Sequence, residues 1–304
     1  MVPIAVLPLT VRPFFIDAVI EGGGVVASAA QAEGLIWTSP TDAAGLGALL
    51  ADHPRIRWVQ LPWAGIEPFV DVLDTHHIWT AGQGVYAEPV AEHALALALA
   101  GLRDLKRRAT ASSWQSSSGL SLMDANVTIF GAGGIARALA LLLAPFRVRL
   151  TIVRRRAVPA ELGAAVRTLP LSARVEAVRD ADLVVLACAL TKQTRHCIGA
   201  RELLAMKSTA WLINVARGGL IDTDALVEAL RSERIGGAAL DVTEPEPLPL
   251  GHPLWSQPRC LITPHVGNTP EMAVPLLRER VRENVRRFAN GESLLGVVDV
   301  EAGY

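Results

Sequence analysis

Three residues at the ends of apolar runs carry side chains that suit one reaction. Arg217 closes AWLINVAR, Glu246 lies in the proline-rich DVTEPEPLP that follows GGAAL, and His265 ends CLITPH. A histidine coupled to a carboxylate keeps a proton it can donate near neutral pH, and an arginine beside it can pair with a substrate carboxylate and polarise a carbonyl. This set describes reduction of a 2-oxo acid. A lone histidine at a strand end would read more simply as a structural imidazole, so the combination carries the inference.

Such a reduction needs a hydride source, and the sequence offers a place for one. Gly131, Gly133 and Ala136 match G-x-G-x-x-G/A between a strand, VTIF, and a helix, IARALALLLAPF. Gly131 permits the tight turn, Gly133 lets the backbone approach a pyrophosphate, and Ala136 lets helix and sheet pack closely. The first helical positions, Gly134 and Ile135, present N–H groups to the anion. About 20 residues on, where an acidic residue would accept from the 2′-hydroxyl of NAD, stand Arg154, Arg155 and Arg156. A guanidinium suits a 2′-phosphate and offers a hydroxyl no acceptor. NADP is therefore the expected cofactor, with NAD still possible.

The elements that must position these residues follow an α/β rhythm. Short apolar runs at 4–7, 34–37, 56–61 and 77–79 alternate with segments of helical length, and a second series follows from 127. The runs LVVLAC, AWLINVA, GGAALDV and CLITPH are apolar throughout, as in parallel sheets covered on both faces. AEPVAEHALALALAGLRDL predicts a helix apolar on nearly every side, in need of cover from another domain or subunit. The serine-rich stretch 107–121 reads as the crossing between domains.

Composition narrows the partners. The chain has 304 residues, 51% hydrophobic and 19% charged, with 29 basic against 30 acidic residues. That is too long for one core, too apolar for disorder, and too near neutrality to favour nucleic acid or an anionic membrane. Cys188, Cys197 and Cys260 form neither a disulfide framework nor a metal motif, and His53, His76, His77, His196 and His252 have no metal-ligand spacing. No apolar run reaches membrane-spanning length, and the proline-broken N-terminus is no secretory signal. A cytoplasmic protein without a metal is expected.

HALALAL, GAGGIA, the long block LTKQTRHCIGARELLAMKSTAWLINVARGG, AALDVTEPEPLP and LITPHVGNT together resemble the D-isomer-specific 2-hydroxyacid dehydrogenases. The resemblance begins near residue 85, is strongest over 131–269 and is weak in the first 55 residues. It implies two Rossmann-like domains: a dinucleotide-binding domain at 96–274, inserted into a flavodoxin-like substrate domain formed by 1–95 and completed by the C-terminal helix within 275–304. It also implies that Arg217 binds the substrate carboxylate and carbonyl, that His265 is the acid/base and that Glu246 is its partner. Asp241 would stand near the nicotinamide carboxamide, with Ala189 and Val215 also at the cofactor. Trp63, Ala64 and Gly65 would form the substrate turn of the first domain.

Two departures stand out. Ala189 replaces a usual proline, which would loosen its turn, and Trp63 is bulky where many members are smaller; it would either wall the pocket or pack beneath the loop. The first-domain turn lacks the arginine of phosphoglycerate-specific members, no regulatory domain is expected after the last helix, and Glu246 stands where formate-specific members have glutamine. Glyoxylate, hydroxypyruvate and related unphosphorylated 2-oxo acids remain as the expected substrates. The other reading kept is a dinucleotide-sensing regulatory protein of the same fold. His93 is expected to be structural, and a homodimer is expected from the apolar helix.

Overall fold

The computed structural model describes residues 1–9, 14–114, 119–155 and 166–301. The chain forms two compact units, one of Met1–Tyr86 with Thr269–Tyr304 and one of Ala87–Asn268.

The first unit contains β1 (Val2–Leu7), α1 (Phe14–Glu21), β2 (Gly24–Val26), β3 (Gly34–Trp37), α2 (Ala43–Asp52), β4 (Trp58–Gln60) and β5 (Ile78–Thr80). Its sheet has the order β2-β1-β3-β4-β5, with every pairing parallel, which is the flavodoxin-like order. Side chains alternate across it, so Ala5, Leu35, Val59 and Trp79 pack into one buried cluster with Leu46 and Phe69. The last helix of the chain, Pro270–Ala289, returns to this unit and packs against α1 and β2. Its buried Asn284 fastens it: Nδ2 donates to Gln60 Oε1 at 3.1 Å and to the Leu295 carbonyl at 3.0 Å, and Oδ1 accepts from the Leu295 amide at 2.8 Å.

The second unit begins with α3 (Ala87–Leu102) and α4 (Leu105–Ala109), then β6 (Asn126–Phe130), α5 (Gly134–Leu143), β7 (Arg149–Arg154) and β8 (Arg167–Pro170). After α6 (Arg174–Arg179) come β9 (Leu183–Leu186), α7 (Ala200–Ala205), β10 (Trp211–Asn214), α8 (Thr223–Arg231), β11 (Gly237–Leu240), α9 (Pro253–Ser256) and β12 (Cys260–Ile262). The seven strands are parallel in the order β12-β11-β10-β9-β6-β7-β8. Because both faces are covered, successive residues of one strand enter opposite cores. Val184, Leu186, Leu212 and Leu240 belong to one cluster; Leu183, Val185, Ile213 and Ala239 belong to the other. Continuous apolarity is the consequence.

α3 lies wholly in this second unit, against α5, β10 and β11. The contact is close: a Cβ on Gly101 would come within 2.3 Å of the Trp211 indole. The units therefore meet in sequence at Tyr86/Ala87 and Asn268/Thr269, whereas the sequence reading put the boundaries at 95/96 and 274/275. A division at 95/96 would cut a helix that packs as one piece. The serine-rich stretch is likewise no crossing: its described parts belong to the second unit, where the Leu120 amide donates to the Leu102 carbonyl at 2.7 Å. Among the described residues no helix is long and apolar enough to cross a membrane, and no group of three or more His, Cys, Asp or Glu could hold a metal ion.

Candidate active site

The strands of the second unit finish at one level. In register, Val153, Phe130, Leu186, Asn214, Leu240 and Ile262 form a line of Cα partners from β7 to β12. Beyond that line lie Arg154 and Gly131 in the half of the sheet that holds β6 and β7, and Arg217, Asp241, Glu246 and His265 beyond β10, β11 and β12. The chain starts at β6, builds outward through β7 and β8, then crosses to β9 on the other side. The glycine turn therefore sits at the topological switch point, where open α/β sheets bind nucleotides.

The turn fits a pyrophosphate. Gly131 has φ +114° and a Cβ there would lie 2.4 Å from the Ala187 carbonyl oxygen, so only glycine is accommodated. A Cβ on Gly133 would meet nothing within 4 Å, leaving open space above the backbone. Gly133 is also the N-cap of α5 and supplies no side-chain acceptor, so no cap covers the amides of Gly134 and Ile135. Arg154 is the last residue of β7, half-buried opposite Pro170, with Arg155 exposed after it; Arg156 lies outside the described residues. The turn at Ala189 is not left slack by the missing proline. Thr194 Oγ1 donates to the Ala189 carbonyl at 2.8 Å and accepts from the Thr191 amide at 2.7 Å.

His265 and Glu246 meet directly, with Nδ1 2.6 Å from Oε1. In that contact Nδ1–H donates to the Glu246 carboxylate, which leaves Nε2 as the ring nitrogen without a partner among the described residues. His265 is three residues past β12 rather than at its end, and it holds the left-handed φ of +53°. That conformation is uncommon for a residue with a Cβ, and the neighbourhood imposes it: the His265 amide donates to the carbonyls of Asp241 at 2.8 Å and Thr263 at 3.0 Å.

Asp241 does more for this loop than the sequence suggested. Its Oδ1 accepts from Thr263 Oγ1 at 2.6 Å and the Val266 amide at 2.9 Å, and Oδ2 accepts from the Gly267 amide at 2.9 Å. His93 Nε2 lies 3.3 Å from Oδ1 and 3.0 Å from Thr263 Oγ1. Burial by itself would push this carboxyl up, but the hydrogen bonds from His93, Thr263, Val266 and Gly267 outweigh it and bring it down to about 2. His93, read from the sequence as structural, is thus one of the donors that hold the histidine loop.

Arg217 extends past β10 in the same way, and buried Asn214 shapes its turn: Nδ2 donates to the Arg217 carbonyl at 2.9 Å and Oδ1 accepts from the Ala216 amide at 3.1 Å. The sequence reading passed over Asn214, although an amide at the end of the apolar run WLIN was the available signal. Val215 follows it, buried. In the first unit, the turn after β4 holds Trp63 half-buried, its ring 6.5 Å from Tyr86, and its carbonyl accepts from the Gly82 amide at 2.8 Å. Among the described residues nothing accepts from the amides of Ala64 or Gly65.

The family model for the D-isomer specific 2-hydroxyacid dehydrogenase NAD binding domain matches residues 93–267. A glyoxylate reductase of Aeropyrum pernix is 33% identical over 261 residues, spanning 80% of this chain and 76% of its own. Among solved structures, a D-isomer specific 2-hydroxyacid dehydrogenase from Xanthobacter autotrophicus Py2, in complex with NADPH and MES, has a TM-score of 0.84 at 26% identity and covers 100% of this chain and 99% of its own. The NADPH-dependent glyoxylate/hydroxypyruvate reductase of Sinorhizobium meliloti has a TM-score of 0.81 at 25% identity, covering 100% of both chains. The strand-edge residues, the glycine cradle and these likenesses agree: the chain belongs to the D-isomer specific 2-hydroxyacid dehydrogenase family and is an NAD(P)-dependent dehydrogenase.

Proposed function

We propose that this dehydrogenase reduces a small unphosphorylated 2-oxo acid, such as glyoxylate or hydroxypyruvate, to the D-2-hydroxy acid, with NADP(H) as its preferred dinucleotide. The observation that carries the reading is the 2.6 Å His265–Glu246 pair on the same sheet edge as Arg217 and the Gly131 turn. Gly131, Gly133, Gly134, Ile135, Ala189, Val215 and Asp241 would hold the dinucleotide, which when bound supplies the hydride. Arg217 pairs with the substrate carboxylate and polarises the 2-oxo group. His265 gives a proton from Nε2 to the carbonyl oxygen, and Glu246 stabilises the charged imidazole and fixes its orientation. In the first unit, the amides of Ala64 and Gly65 are the groups we assign to substrate, with Trp63 limiting its size. Arg154 and Arg155 favour a 2′-phosphate.

Similarity to the glyoxylate reductase of Aeropyrum and the glyoxylate/hydroxypyruvate reductase of Sinorhizobium supports glyoxylate and hydroxypyruvate as the first acids to try. The dinucleotide-sensing alternative is not favoured. A homodimer and a cytoplasmic location accompany the reading as proposals, the first checked by sedimentation. The central test follows NADPH and NADH oxidation with glyoxylate, hydroxypyruvate, pyruvate and phenylpyruvate. His265→Ala should lower kcat by about 10²-fold or more, and Arg154→Asp should shift preference toward NADH. A wild type that binds NADPH yet reduces none of these acids would refute the substrate reading, and an unchanged Arg154→Asp preference would refute the cofactor reading.

A further inference from the structure

We propose that Glu244 is a positioning residue that ties the turn carrying Arg217 to the loop carrying Glu246 through Arg195 and His196; this rests on the roles assigned to Arg217 and Glu246 above. Three loops converge here, those that follow β9, β10 and β11. Segment 196–198 runs beside 219–222: the His196 amide donates to the Gly219 carbonyl at 2.8 Å, the Ile198 amide to Leu220 at 3.1 Å, and the Asp222 amide to Ile198 at 2.9 Å. The Arg217 turn also presses on the third loop, since a Cβ on Gly218 would lie 2.0 Å from the Thr243 carbonyl carbon and oxygen.

Glu244 closes the triangle. Its Oε1 accepts from Arg195 at 2.9 Å and its Oε2 is 3.0 Å from His196 Nε2, one oxygen to each of two successive residues. Its carbonyl accepts from Thr223 Oγ1 at 2.8 Å. The ion pair lies directly over Gly219, where a Cβ would meet the Arg195 guanidinium at 3.1 Å and the Glu244 carboxylate at 3.2 Å. Glu244 precedes Glu246 by two residues, so whatever fixes its carboxylate against the Arg217 turn also fixes the origin of the His265 partner. His196 first, with Arg195, holds the Glu244 carboxyl below the usual carboxylate range, so the carboxylate is charged at neutral pH.

These side chains are 52%, 42% and 35% exposed for Arg195, His196 and Glu244. Ion pairs this open contribute little to global stability. Their consequence lies in placement, because a displacement of about 1 Å at a reacting group can lower a rate by up to about 10²-fold.

The test compares wild type with Glu244→Ala, Glu244→Gln and Arg195→Ala, the last two serving if the first fails to fold. Glu244→Ala should lower kcat/KM for glyoxylate about tenfold or more while the KM for NADPH stays within about twofold. Glu244→Gln, which keeps one acceptor oxygen, should recover part of the loss. Amides in 216–221 and 242–247 should exchange hydrogen faster in Glu244→Ala, with the rest of the second unit unchanged. An unchanged kcat/KM overturns the proposal, as does a loss shared equally by NADPH binding and thermal stability. If wild type reduces no 2-oxo acid, the functional reading fails by itself and exchange decides the tie: unaltered protection in the two segments overturns it.

Discussion

Replacing Asp241 with asparagine removes a buried charge on which four donors converge. The carboxyl is held at about 2 against an ordinary 3.8, because the bonds from His93, Thr263, Val266 and Gly267 outweigh burial. Over that gap the charged form contributes about 2 kcal/mol to the stability of the second unit. The sign follows from the direction: a carboxyl lower in the folded than in the unfolded chain stabilises fully above about pH 4, and the benefit fades as pH falls through about 2. Asparagine keeps one acceptor oxygen but turns an NH₂ toward groups that also donate. The expected wild-type advantage is therefore about 2 kcal/mol at pH 6 and about 1 kcal/mol at pH 3. Urea unfolding at both pH values measures it, with hydrogen exchange in β11 and β12 separating this unit from the other. Equal differences at the two pH values, or none at pH 6, would show that the charge is not what secures the loop. Because the carboxylate holds Thr263, Val266 and Gly267 on either side of His265, the variant should also lose turnover at pH 7.

Glu246→Gln should leave NADPH binding unchanged and lower kcat by about 10- to 100-fold, with the pH profile of kcat displaced because a neutral amide no longer stabilises the imidazolium; steady-state kinetics from pH 5 to 9 check both. Gly131→Ala places a Cβ 2.4 Å from the Ala187 carbonyl at a φ of +114°. It should weaken NADPH binding at least about tenfold, as read by quenching of protein fluorescence.

Much of the second unit is legible from sequence for a local reason. The fully apolar runs at β9 to β12 announce strands covered on both faces, and G-x-G-x-x-A announces its turn because a positive φ between a strand and the helix it feeds is a local demand, although the Ala187 carbonyl that also excludes a Cβ at Gly131 lies beyond β9, outside the motif. Even there the ends drift. Arg217 and His265 stand three residues beyond Asn214 and Ile262, where β10 and β12 end, since apolarity continues into the turns after the ladder has stopped. The alanine- and leucine-rich helix is equally plain, yet its composition could not say that Gly101 packs on Trp211, so the boundary between units was misplaced. Serine content marks 107–121 as loop but carries no information on whether a loop crosses between units.

The sequence by itself marked six of the seven strands of the second unit, all but β8, and the dinucleotide turn, and it singled out Arg217, Glu246 and His265 as the set proposed above, because each depends on residue type and short spacing. Tertiary structure alone decided what holds that set. His93 reaches Thr263 across 170 positions, His196 reaches Glu244 across 48, and the Asp241 carboxylate closes on amides 25 and 26 residues away. Such contacts form only when parallel strands bring their carboxyl ends to one edge, and no periodicity along the chain records which loops will then touch.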